Sequence, residues 1–438
     1  MKATAAPPGS RCYDAAVSRK PRNESRNAQR PGEGSPVSLV LALASLAASV
    51  VSLARARRAR RLVGSLREEP GEAYVRPGLS VVIPARNEEG RLEEALGSVL
   101  GQDYPGELEV LLVDDRSEDA TPEIGERLAR RHPELSVVRV DALPEGWLGK
   151  NHAANAGAAR TGGEWLLFCD ADVVFESRAF RRAVAYAERE SLDHLTLVPR
   201  MELAGYWLRS VTAFSWMMGL VQLRLYRANI DGSGVGVGIG AFNLIRRGAY
   251  EEIGTHERLR LEVVDDLALG RAVEAAGLRG RILFAQDLVS VRWHESARSF
   301  LSGVENTVYA GVDFSPVKAA GYAGAIGGLL AWPFWGVLSQ SGATRMLCLG
   351  AALGNLASYG LANAYLGREV WRLAPSYPVA ALMVCGILLR STLAAESRGG
   401  LVWRETFYPL ELLREARGAG QDRQTGPAAG RDREAGRR

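Results

Sequence analysis

The chain has 438 residues, enough for one or two domains plus accessory segments. Apolar residues make up 47% of it, so a substantial core can form, and 54 basic residues nearly balance 50 acidic ones for a net charge of +4. That balance leaves no bulk charge to attract a nucleic acid. The four cysteines (Cys12, Cys169, Cys348, Cys385) lack any Cys-x-x-Cys spacing and read as reduced packing residues rather than a disulfide framework.

In chain order, residues 1–35 are rich in Pro, Gly, Ser, Asn and Arg, the composition of a disordered segment. Residues 36–54 follow as an uncharged stretch. Crossing a bilayer takes roughly 17–25 residues, so Val37 to Ala54 reads as a transmembrane signal anchor. Arg55, Arg57, Arg58, Arg60 and Arg61 come directly after it, as a patch facing anionic headgroups would.

A soluble domain is expected over residues 76–317. Its first part alternates as a mostly parallel α/β sheet does. Leu79 to Pro84 reads as a strand, Glu88 to Leu100 as a helix, and Glu109 to Val113 as a second strand ending in Asp114-Asp115. A helix near Thr121 to Arg131, a strand at Ser136 to Val140 and a short helix at Lys150 to Arg160 come next. The apolar run Trp165 to Cys169 then ends in Asp170-Ala171-Asp172. Ligands of open α/β sheets bind beyond the carboxyl ends of the strands, so Asp115, Asp170 and Asp172 can converge on one crevice. Two carboxylates two residues apart suit a hard divalent cation that takes its remaining ligands from substrate phosphates.

Residues 203–223 carry Tyr206, Trp207, Phe214, Trp216, Met217 and Met218 with only Arg209 charged, fitting either a core helix or an interfacial one. The run Gly232 to Gly240 lacks the strand-to-helix setting of a dinucleotide site and reads as a mobile loop closing over substrate. Asp265-Asp266 opens a helical pattern. Acids there complement the helix dipole, and one of them can also act as a general base. Residues 319–394 hold two or three further spans: Ala319 to Thr344, Met346 to Gly367, and the shorter Leu373 to Leu389. Trp403, Phe407 and Tyr408, beside Arg404, mark residues 398–413 as an interfacial segment, and 414–438 reads as a disordered tail.

Five motifs occur in order: Pro84-Ala85-Arg86-Asn87-Glu88, Val113-Asp114-Asp115-Arg116-Ser117, Gly149-Lys150-Asn151, Asp170-Ala171-Asp172 and Asp265-Asp266. Together they resemble family 2 of the nucleotide-sugar glycosyltransferases, which have the Rossmann-like GT-A fold. The flanking spans resemble its membrane-bound branch, which includes ceramide glucosyltransferase and bacterial enzymes that glycosylate carotenoids or accompany hopanoid synthesis. The resemblance implies that Asp115 contacts the nucleotide base, with Pro84, Arg86 and Glu88 near the same pocket. It implies that Lys150 faces the diphosphate, that Asp170 and Asp172 hold Mg²⁺ or Mn²⁺ with Asp170 also on the nucleotide-sugar, and that Asp266 is the catalytic base. Asp265 stands where the family usually has Glu and is assigned to the catalytic pair. Arg292 and Trp293 are expected at the diphosphate or acceptor. The Gln-x-x-Arg-Trp signature of processive synthases is broken by Val289, which argues against a polymerase. His294 reads as a structural histidine.

The implied activity is inverting transfer of one sugar, from a UDP-sugar by preference, to a hydroxyl or carboxyl of a carotenoid, hopanoid or sphingolipid-like acceptor. Rival readings are a polysaccharide synthase, a polyprenyl-phosphate sugar transferase, a nucleotidyltransferase, or a silent nucleotide-binding membrane protein. The implied location is a bacterial plasma membrane with the catalytic domain cytoplasmic. Arg19, Lys20, Arg22, Arg26 and Arg30 precede the first span, so loop charge does not set the topology and the cytosolic donor does.

Overall fold

The computed structural model describes residues 35–66, 76–294, 303, 307–403 and 406–425, with the side chains of 293, 294, 403 and 418–425 excepted. The sequence expectations for residues 1–34, Arg404 and 426–438 lie outside these residues.

Helix α1 (Pro36–Leu62) begins where Ser35 accepts a hydrogen bond from the Val37 amide at 3.2 Å and Pro36 occupies the first turn, a good start for a helix. It continues through the arginine patch rather than stopping at Ala54.

The α/β domain is built on a seven-stranded sheet. In chain order its strands are β1 (Leu79–Ala85), β2 (Leu108–Asp115), β3 (Leu135–Val140) and β4 (Trp165–Phe168), with α2 (Leu92–Leu100), α3 (Thr121–Ala129) and α4 (Gly149–Ala158) between them. After β5 (Val173–Phe175), α5 (Ala179–Arg189), β6 (His194–Val198), β7 (Arg200–Leu203) and α6 (Tyr206–Met217) come β8 (Asn243–Arg246), the short α7 (Arg247–Glu252) and α8 (Thr255–Arg258), α9 (Asp265–Ala275), β9 (Gly280–Phe284) and β10 (Val289–His294). The sheet order is β3-β2-β1-β4-β8-β6-β9. Strands β1 to β4 are parallel, β8 runs antiparallel to both neighbours, and β6 pairs parallel with β9. Alternate residues feed two cores: Val81 and Ile83 face one side of the sheet, while Val82, Leu111 and Leu166 face the other. A second sheet, β5-β10-β7, stands beside the carboxyl end of β4.

Three helical segments among the described residues are long and apolar enough to cross a membrane: Pro36–Leu62, Pro316–Ser339 (α10) and Glu369–Arg398. The last contains α12 (Tyr377–Arg398). Helix α11 (Gly342–Ala362), expected as a span, is not one of the three; Arg345 sits in its first turn. It nevertheless packs along α1, where a Cβ on Gly354 would stand 2.7 Å from Ser49 Oγ. The buried face of α1 is a stripe of small residues (Ala42, Ser45, Ser49, Ser52, Ala56, Ala59), and its large residues Val37, Val40 and Leu43 point outward. Small-inside, large-outside is the pattern of helices packed in lipid.

Segment 203–223 packs in part as a core helix. Helix α6 buries Leu208, Val211, Phe214 and Met217 and exposes Tyr206 and Trp207. Beyond α12 the chain forms a hairpin, β11 (Gly400–Trp403) with β12 (Thr406–Pro409), and α13 (Leu410–Thr425). The tail is therefore helical past residue 414. Arg414 Nη2 donates to the Phe314 carbonyl at 2.9 Å, and Arg417 Nε to Asp313 at 3.1 Å, fixing its first turns. Cys169, Cys348 and Cys385 are free thiols, as packing cysteines should be.

Candidate active site

The loops after β1, β2 and β4 and the start of α9 meet at the carboxyl edge of the sheet. They enclose a cleft of about 780 Å³, within the usual range for small-molecule sites. Pro84, Glu88, Asp115, Lys150, Asp170, Asp172, Asp265 and Asp266 all line it, so the expected residues from five separate motifs share one cavity.

Each is delivered by local chain physics. Along β2, Asp114 and Asp115 point to opposite faces. Asp114 is fully buried and accepts a hydrogen bond from the Ser117 amide at 3.2 Å, shaping the turn. Asp115 faces the cleft, its Oδ1 2.9 Å from Arg116 Nε. The amino end of α4 abuts it closely, since a Cβ on Gly149 would lie 2.1 Å from Asp115 Oδ2. Only glycine permits that approach. The loops after β1 and β2 are stitched together: the Asn87 amide donates to Ser117 Oγ at 3.0 Å and the Glu88 amide to Thr121 Oγ1 at 2.8 Å.

Lys150, in the first turn of α4, reaches Asp170 Oδ1 at 2.7 Å and Asp265 Oδ1 at 3.4 Å. Burial opposes its charge, but the carboxylates of Asp170, Asp265 and Asp266 more than offset that, and its pKa is raised. Lys150 is therefore cationic at neutral pH. The neighbouring Asn151 is buried and donates to the carbonyls of Leu259 at 2.6 Å and Glu262 at 3.0 Å. It thus clamps the segment that leads into Asp265-Asp266.

Asp266 opens α9. Its Oδ1 accepts from the Leu267 amide at 2.7 Å and its Oδ2 from the Gly240 amide at 2.7 Å. Burial, then the charge of Asp265, push its pKa up to about 6, against the pull of Lys150. Asp265 is raised as well, by burial first and Asp170 second. Asp172 is likewise pushed to about 6 by burial and by Asp170, with Arg91 opposing at 3.4 Å.

Asp170 and Asp172 fit a divalent cation as two oxygen donors that repel each other and now lean on Lys150 and Arg91. No group of three or more His, Cys, Asp or Glu among the described residues could hold an ion alone. Two carboxylates that leave coordination positions for phosphate and water match Mg²⁺ or Mn²⁺ chemistry.

Part of the glycine-rich run is tightly packed. A Cβ on Gly236 would fall 1.9 Å from the Gly270 carbonyl oxygen, and one on Gly238 would fall 1.9 Å from that of Asp266, so the run lies backbone to backbone on α9. Gly240 then joins the two acidic motifs, its carbonyl accepting from the Asp170 amide at 3.1 Å while its amide holds Asp266.

Arg292 does not line the cleft. Its Nε stands 3.6 Å from Glu202 on β7, in a neighbouring recess that Asp172 also lines. The side chains of Trp293 and His294 lie outside the described residues. Arg86 sits near Tyr408, whose phenol is held up chiefly by burial and is eased by its hydrogen bond with Thr406, then by Arg116 and Arg86. Arg91, Asn151 and Gly240 are site residues the sequence reading missed as such. Val289, the glutamine position of polymerases, is buried in β10 opposite Phe175.

Residues 80–254 match the family model described as Glycosyl transferase family 2. The 4,4'-diaponeurosporenoate glycosyltransferase of Staphylococcus aureus is 23% identical over 343 residues, covering 76% of this chain and 88% of the relative. Among solved structures, the mannosyltransferase PcManGT from Pyrobaculum calidifontis, in complex with GDP-Man and Mn²⁺, is 18% identical with a TM-score of 0.46, covering 82% of this chain and 99% of that one. S. aureus TarS 1–349 in complex with UDP-GlcNAc is 16% identical with a TM-score of 0.37, covering 76% and 96%.

Proposed function

We infer that this chain, whose residues 80–254 form a family 2 glycosyltransferase domain with the GT-A fold, moves one sugar from a nucleotide-sugar to a hydroxyl or carboxyl of a membrane lipid, inverting the anomeric centre. The observation that carries this reading is the shared cleft. Asp115, Lys150, the Asp170/Asp172 pair and Asp266 line one cavity whose wall also includes Val402 of the hairpin beyond the apolar helices.

Asp115 and Pro84 would receive the nucleotide end of the donor, UDP in the favoured case. Lys150 would meet the diphosphate and move part of its charge from Asp170 to the phosphate oxygens. Mg²⁺ or Mn²⁺ held by Asp170, Asp172 and the donor phosphates would supply neutralisation of the leaving group's charge. Asp266 would take the proton from an acceptor hydroxyl; an acceptor already ionised as a carboxylate would need no base. The acceptor oxygen then bonds to the anomeric carbon as the bond to the diphosphate oxygen breaks. A base with a pKa near 6 is mostly ionised at pH 7 and still a competent proton acceptor. Asp265 serves by holding Lys150 and by raising Asp266.

The lipid acceptor is supported by the three candidate spans, the outward-facing apolar residues Val37, Leu338 and Leu393, and the carotenoid acceptor in the relatives' name. A polyene carboxylic acid of that kind is the first acceptor to offer. The cytosolic nucleotide-sugar donor favours a cytoplasmic face for the cleft, in a bacterial plasma membrane. Detergent-solubilised protein with a panel of UDP- and GDP-sugars and total membrane lipid, read by mass spectrometry, tests it. A lipid gaining one hexose supports the reading; a ladder of added sugars or release of pyrophosphate overturns it.

A further inference from the structure

Beyond the last apolar span the chain turns back onto the α/β domain. Val402 of β11 lines the cleft, and Tyr408 Oη of β12 donates to the Trp147 carbonyl at 3.2 Å, just ahead of Gly149-Lys150. Helix α13 then reaches the segment that leads into Asp265-Asp266. Arg417 Nη1 donates to Glu262 Oε2 at 2.5 Å, and its Nε to Asp313 Oδ1 at 3.1 Å. Glu262 stands three residues before Asp265. The Arg417 side chain is 11% exposed, against 38% for Arg127 in the surface pair with Glu93, so solvent screens this double pair far less. Asp313 and Glu262 also act electrostatically on Arg271, which lies on α9 itself. The turn that carries Asp313 is strained. Asp313 and Phe314 have consecutive positive φ values of 57° and 50°. An aspartate tolerates that region and a phenylalanine rarely enters it, so the turn persists only because its surroundings over-determine it. Arg414 of α13 and Tyr309 each donate to the Phe314 carbonyl at 2.9 Å, and Lys318 joins Arg417 on Asp313 at 2.7 Å. Thr307, just ahead of this turn, lines the cleft. One shielded guanidinium therefore ties together two stretches of chain that each supply cleft wall.

We propose that Arg417 is a positioning residue for the transfer: from the helix that follows the last apolar span, it fixes through Glu262 the segment that presents Asp265 and Asp266 to the cleft. The inference rests on the roles given to those two aspartates above and adds what holds them in place. Asn151 grips the backbone of that segment, at the Leu259 and Glu262 carbonyls, and Arg417 grips its side chain. Without Arg417, Glu262 and Asp313 lose the cation between them, and Asp265 is free to draw away from Lys150.

Arg417→Gln and Glu262→Gln remove the charges and keep much of the bulk. With full-length protein in detergent, total membrane lipid and the panel of UDP- and GDP-sugars, each should lower kcat for nucleoside diphosphate release about 10- to 100-fold, as a misplacement of about 1 Å does, with the Kd for UDP within about threefold of wild type. The double variant should fall no further than the worse single one, because both break the same contact. Arg417→Lys keeps the charge but not the fork that spans two carboxylates, and should fall in between. Arg246→Gln is the control for lost stability alone. Arg246 pairs with Glu164 and Glu188 at 2.8 and 2.7 Å beside the amino end of β4, away from the cleft, and its loss should lower the melting temperature with kcat unmoved. An Arg417→Gln enzyme that behaves the same way overturns the positioning role. If Arg417→Gln does not fold, Glu262→Gln and Arg417→Lys carry the test. Hydrogen–deuterium exchange gives a readout that needs no turnover. Peptide 259–268 should exchange faster in Glu262→Gln than in wild type, and unchanged exchange there overturns the proposal. If wild type transfers sugar to no acceptor, the roles of Asp265 and Asp266 fail by themselves, and exchange still decides whether Arg417 holds their segment.

Discussion

Gly240→Ala isolates the joint between the acidic motifs. The added Cβ would stand 2.6 Å from Asp170 Oδ2 and 3.5 Å from Asp266 Oδ2. A carbon and an oxygen need roughly 3.2 Å or more, so one carboxylate must retreat by about 0.6 Å or the backbone at 240 must shift by as much. Either movement separates the donor's ligands from the base, because the same residue bonds the Asp170 amide and the Asp266 carboxylate. Misplacement of about 1 Å can cost about 10²-fold in rate. We expect kcat to fall about 10- to 100-fold with nucleotide affinity within about threefold of wild type and a stability loss of about 1–3 kcal/mol. Initial rates of nucleoside diphosphate release, calorimetric titration with UDP and a melting curve measure the three quantities. Gly97→Ala is the control: no neighbouring atom meets its Cβ, and helix α2 should be slightly stabilised. A folded Gly240→Ala enzyme with wild-type kcat would refute the coupling.

Gly149→Ala should do the opposite, since its Cβ would meet Asp115 Oδ2 at 2.1 Å; the donor KM should rise about tenfold or more while kcat at saturation changes less. With a hydroxyl acceptor, Asp266→Asn should lower kcat by about 10²–10⁴-fold and spare donor binding, measured by turnover against calorimetry. With a hydroxyl acceptor, the rate of the wild-type enzyme should fall as pH drops through about 6, because Asp266 must be ionised to take a proton, and a pH–rate profile would show this limb. The same raised pKa favours the protonated fold, so stability from this group is present at low pH and lost as pH rises through about 6. Asp266→Asn should accordingly narrow the difference in melting temperature between pH 4 and pH 7.5 relative to wild type, since it removes the titrating group.

What was legible in the sequence was whatever depends on neighbours along the chain. Apolar runs ending in acids gave β2 with Asp115 and β4 with Asp170, and the acidic start of α9 gave Asp266. The antiparallel β8 and the late strands β6 and β9 were not read individually, because their pairing is decided by distant partners. Arg91 is invisible as a site residue until α2 is laid beside Asp172 across the sheet edge. The glycine run misled for a related reason. Glycine permits both flexibility and close approach, and only the position of α9 reveals that Gly236 and Gly238 serve the second. Arg292 followed a motif, but a carboxylate on β7 stands nearer to it than the cleft does.

The most direct test of the central claim is the mass of membrane lipid after incubation with the full-length protein, a nucleotide-sugar panel and Mg²⁺ or Mn²⁺. The account predicts a gain of one hexose on a single lipid class, abolished by chelation and in Asp172→Asn. Tight nucleotide binding with neither transfer nor donor hydrolysis across the panel would contradict it.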